Sequence, residues 1–129
     1  MQTKSIKPPY LIAYIALIVF ALILSLTRWV AYFNESIKLP EFILAHITNF
    51  SLSLIIVLIV GFVALVLGGK MSLITAFSLV MIVLNFICET MMSAMNTADV
   101  VDALFGLCGV GIAYIYLFLL NKNGLCERK

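Results

Sequence analysis

Three carboxylates, Glu89, Asp99 and Asp102, fall within fourteen residues of a chain that is otherwise almost oily. Upstream, His46, Asn49 and Ser53 follow each other at spacings of three and four, and Asn85 stands four before Glu89. Such spacings put side chains on one helical face. Grouped carboxylates with an imidazole and amides can bind a polar headgroup, move a proton or hold a cation. Arg28, the strong cation nearest to them apart from Lys38, is the expected counter-charge. Nitrogen and oxygen donors suit zinc or manganese, but the spacing requires no metal, and neither a metal nor a cofactor is assigned. HExxH, a Gly-rich phosphate loop, CxxC and the nucleophile elbow are all missing.

What positions these groups is set by composition. Of 129 residues, 64% are hydrophobic and 11% charged, far from the balance of a water-soluble domain. Apolar runs of about twenty residues can cross a hydrocarbon layer of roughly 30 Å. Four are present, near residues 10–27, 45–67, 72–92 and 100–120. The expected fold is therefore all-α, a polytopic four-helix transmembrane bundle in a single domain over residues 1–129. Short connections are expected at Arg28 to Pro40, at Gly68-Gly69-Lys70 and at Ser93 to Asp99. A net charge of +2, dispersed along the chain, makes no nucleic-acid surface. Three cysteines are poor material for a disulfide framework. The first apolar run ends in "SLTRWVAYF", which has no small-x-small cleavage site, so it reads as a retained helix with Trp29, Tyr32 and Phe33 as interfacial anchors.

Orientation follows from the basic residues. Lys4, Lys7, Lys70, Lys122, Arg128 and Lys129 fall on one side of four spans and only Arg28 and Lys38 on the other, so both termini are expected in the cytoplasm. Arg28, His46, Asn49, Asn85, Glu89, Asp99 and Asp102 then gather at the outer ends of their helices as one polar pocket. Below the aspartates, Gly106, Gly109 and Ala113 continue the same face of the last helix. This small-residue stripe is expected to pack inward, against the third helix. Asp99 is also a candidate N-cap. The methionines are read as gap fillers.

At "ICETMMSAMNTADVVDALFGLCGVGIAY" and "LPEFILAHITNFSLS" the chain resembles the VanZ-like family of small bacterial membrane proteins. Glu89, Asp99, Asp102 and Gly109 stand at places compatible with that family's closing pattern, and Pro40, His46 and Phe50 with an earlier one. Met92, Asn96 and Gly106 stand where the family carries Gln, Arg and Asn. The resemblance runs from about Leu39 to Tyr114. It implies a four-span protein of the bacterial cytoplasmic membrane with a cell-envelope role and a link to glycopeptide antibiotic resistance. The expected function is an outward pocket for a lipid headgroup, a cell-wall-related ligand or a protein partner, with membrane lipids or a second copy as neighbours. A membrane-embedded enzyme acting on lipid-linked substrates and a proton- or ion-coupled transporter are the alternatives.

Overall fold

The structure, a computed structural model, describes residues 4–33, 40–91 and 99–127. Four helices dominate it: α1 Pro8–Phe33, α2 Glu41–Val66, α3 Met71–Met91 and α4 Val100–Leu119. All four are long and apolar enough to cross a membrane. The helix α1 runs past the expected end at Thr27 and includes Arg28 to Phe33. Nothing in "RWVAYF" breaks a helix, and polarity alone does not end one. The Ser93 to Asp99 connection lies, except for Asp99, outside the described residues.

The helices do not share the interior equally. In the most apolar stretch of each, 39% of α2 and 44% of α4 is buried, against 6% of α1 and 11% of α3. So α2 and α4 form the central pair, and α1 and α3 flank it. Leu54, Val57, Leu58 and Leu65 of α2 meet Val110, Ala113, Tyr116 and Leu117 of α4 in one core, which Ala21 of α1 and Ile74 of α3 complete. Outside, Ile12, Ile23, Leu73, Leu79, Val83 and Ile115 are each more than half exposed. Apolar surface on that scale suits a lipid environment and not water.

Turn chemistry fixes the α2–α3 hairpin. Gly68 has a φ of 83°, the left-handed region that glycine adopts without strain. Its N–H donates to the Leu65 carbonyl at 3.0 Å and that of Gly69 to the Ala64 carbonyl at 2.7 Å. That pair of bonds is the Schellman arrangement, which satisfies carbonyls the helix end would leave open. At the chain's ends the structure adds what hydropathy alone did not reveal. After α4 the chain makes a π-helical turn, Leu120–Gly124, and then a short strand, β2 Leu125–Glu127, pairs antiparallel with β1 Lys4–Ile6. The Lys7 N–H donates to the Gly124 carbonyl at 2.9 Å, and the Tyr116 hydroxyl to the Tyr10 carbonyl at 2.8 Å. The two terminal segments are thereby tied together at the end of the bundle remote from the carboxylates.

Candidate functional site

The polar site is built around one face of α2. His46, Asn49 and Ser53 occupy successive turns of it, as their spacing predicts, and each reaches a different residue on a neighbouring helix. His46 Nδ1 lies 2.7 Å from Asp102 Oδ1 on α4. Asn49 Nδ2 donates to Glu89 Oε1 on α3 at 2.9 Å. Ser53 and Asn85 are within hydrogen-bond reach in both directions, at 3.3 and 3.1 Å. Four residues along α2 from Asn49 to Ser53 match four residues back along α3 from Glu89 to Asn85, as an antiparallel helix pair requires. The result is a ladder of polar contacts descending from one end of the bundle into its apolar middle.

His46 is the best-defended member. Its relative exposure is 5%. Phe42, one turn earlier, meets the imidazole edge-on with ring centroids 4.7 Å apart, and Phe105 of α4 covers it at 5.3 Å. A buried polar group is costly unless bonded, and Asp102 supplies the bond. An ionised carboxylate only accepts, so Nδ1 carries the proton in this pair. His46 Nε2 then faces Asp99 Oδ2 at 3.9 Å. Asp99 is the N-cap of α4: its Oδ1 accepts from the Val101 N–H at 2.9 Å, which satisfies one orphan donor of the first turn. The capping role expected for Asp99 therefore exists, and it leaves the second carboxylate oxygen directed at the imidazole.

Arg28 goes elsewhere. It donates through Nη1 to the Ala45 carbonyl, at 3.3 Å, and to the Thr48 hydroxyl. Thr48 lies on the α1-facing side of α2, with Ser51, which bonds Ser25 of α1, away from His46. The expected counter-charge role is thus corrected: among the described residues Arg28 makes no ion pair with Glu89, Asp99 or Asp102. The cause is helical phase, because α1 packs on the face of α2 opposite to the polar ladder. Arg28 instead borders two clefts of about 230 and 400 Å³ at the end of the α1–α2 groove, with Tyr32 in both.

The small-residue stripe is buried as expected, at Gly106, Gly109 and Ala113, but its main partner is different. A Cβ on Gly109 would collide with the Phe50 carbonyl oxygen of α2, with the Leu54 nitrogen 3.1 Å away. Gly106 does face α3, where a Cβ would come within 2.6 Å of Asn85 Nδ2. The closest approach is therefore α4 on α2, not α4 on α3. That contact brings Asp102 beside His46.

Sequence reasoning passed over Thr48, Ser51, Phe42 and Phe105. Ser51 is fully buried and shares a 2.8 Å hydrogen bond with Ser25 of α1. Its signal was available: Thr48 and Ser51 are three apart on α2, on a face of their own.

The arrangement can do three things chemically: hold a cationic or hydrogen-bonding headgroup on the carboxylates, relay a proton through an Asp-held imidazole, or ligate a cation. Four apolar helices around such a cluster define a multi-span type of helical protein. In comparisons with known proteins, no protein family, no curated protein and no solved structure matches the chain.

Proposed function

We propose that this is a multi-pass membrane protein, with both termini in the cytoplasm, whose outward polar cluster binds the headgroup of a membrane-embedded, lipid-like ligand. The observation that supports it best is the polar ladder, in which His46, Asn49 and Ser53 each hold a partner on another helix at one end of an otherwise apolar bundle. Polar groups at membrane depth are expensive and mark sites of function. Here they converge, while the exposed flanks are suited to acyl chains. The Trp29, Tyr32 and Phe33 side chains, each more than 60% exposed beside Arg28, fit the aromatic belt of a headgroup layer. The resemblance to VanZ-like proteins supports a bacterial cell-envelope setting and a part in glycopeptide resistance.

Native mass spectrometry of the purified protein tests this reading. A co-purifying lipid-like molecule is expected on the wild type and depleted in Glu89→Gln and Asp102→Asn proteins that melt normally. Equal retention by all three would overturn it.

One observation favours a second reading. An imidazole held by a carboxylate at 2.7 Å is the arrangement of a positioned general base. On that reading the bound molecule is a substrate, and turnover of lipid-linked material would be lost in His46→Gln.

A further inference from the structure

We propose that His46 Nε2 and Asp99 Oδ2 bind a divalent transition metal ion of the zinc type, with Asp102 as the residue that orients the imidazole. This deepens the ligand-site reading above and rests on it only for location. With Nδ1 protonated toward Asp102, a neutral imidazole carries a lone pair on Nε2. Asp99 Oδ2 is likewise acceptor-only when ionised. Two lone-pair atoms therefore face each other at 3.9 Å, too far for a hydrogen bond and repulsive without a positive charge between them.

The span suits an ion. Ligand bonds of about 2.0–2.2 Å hold two donor atoms roughly 3.0–3.5 Å apart in ordinary geometries and at most about 4.3 Å apart. Closing the pair by about half an ångström reaches that range. A donor atom from each of His46, Asp99 and Asp102 falls within a 4.8 Å cluster.

Both ligand atoms are already aimed by other bonds. The Val101 N–H holds Asp99 Oδ1, and Asp102 holds His46 Nδ1. Carboxylate, histidine and metal in series is the usual way a metal-binding imidazole is fixed, with a hydrophobic shell controlling access. Phe42 and Phe105 supply that shell. No Lys or Arg pairs with these carboxylates among the described residues, so the cluster has room for cationic charge. Two protein ligands leave the remaining positions open on the side of Asp99, whose side chain is 42% exposed. Water or an anionic oxygen of a headgroup can complete the sphere there, which explains how a carboxylate-rich site accepts an anionic ligand.

The alternative source of positive charge is a second proton on His46, and the test separates the two. The full chain in detergent, with Cys88, Cys108 and Cys126 replaced to remove thiolate ligands, is stripped with a chelator and titrated with Co²⁺, followed by its visible bands and by Zn²⁺ competition. One Co²⁺ per chain is expected, displaced by Zn²⁺. Asp99→Asn, which keeps a capping side chain, and His46→Gln should each weaken binding at least tenfold. Asp102→Asn should weaken it about ten- to a hundredfold, as an orienting partner does. Ser78→Ala, on α3 and remote from the cluster, should leave it unchanged. Absence of saturable Co²⁺ binding, or binding that Asp99→Asn and His46→Gln leave intact, overturns the proposal. If Co²⁺ does not bind but the protein still retains a lipid in a Glu89-dependent manner, the metal assignment fails alone and the headgroup site stands.

Discussion

Asn49 Nδ2 donates to Glu89 Oε1 at 2.9 Å, across the contact between α2 and α3. Glu89 is half-buried near the end of its helix, where a charge is tolerated best with a partner. The amide satisfies one carboxylate oxygen and brings no counter-charge. Glu89→Gln keeps the shape and an acceptor for Asn49. Its expected outcome is a melting temperature in detergent within a few degrees of the wild type, together with loss of the co-purifying ligand in native mass spectrometry. A large fall in stability with ligand retained would make Glu89 a structural residue.

At Gly109 the backbones of α4 and α2 approach too closely for any side chain. Gly109→Ala drives a methyl group into the Phe50 carbonyl, which is part of a helix and cannot swing aside. Overpacking of this kind costs typically about 1–3 kcal/mol. Leu104→Ala, on the exposed side of the same helix, is expected to change the melting temperature far less. Similar losses from both, by thermal unfolding in one detergent, would place the α2–α4 contact elsewhere.

Tyr116 closes the opposite end of the bundle through its hydroxyl on the Tyr10 carbonyl. The ring sits among core residues, so Tyr116→Phe keeps the packing and removes one bond. A loss of about 1 kcal/mol is expected, readable as a small drop in melting temperature, with no change in ligand retention at the far end.

Cysteine accessibility measures the orientation. With Cys88 and Cys108 replaced by alanine, Cys126 in β2 should resist a membrane-impermeant thiol reagent in intact cells and react once the membrane is opened. A cysteine at Pro40, before α2, in a Cys126→Ser chain should react from outside. The reverse pattern would invert the bundle and turn the carboxylates toward the cytoplasm.

The sequence by itself determined four apolar helices, because a run of twenty apolar residues has few other ways to satisfy its backbone and its surroundings. It also determined the turn at Gly68-Gly69, the capping chemistry of Asp99, and the common face of His46, Asn49 and Ser53, since helical period follows from spacing alone. It did not determine which neighbour each face meets. In a soluble helix the apolar stripe points to the core, but these helices are apolar nearly all round, so the pattern does not separate the interior from the exterior. Only the tertiary structure set Gly109 against α2 rather than α3, brought Asp102 and Asp99 to the two nitrogens of His46, and turned Arg28 to Ala45 and Thr48. Those outcomes depend on how closely two backbones can approach and on the phase of one helix against the next, quantities that exist only once the helices are packed.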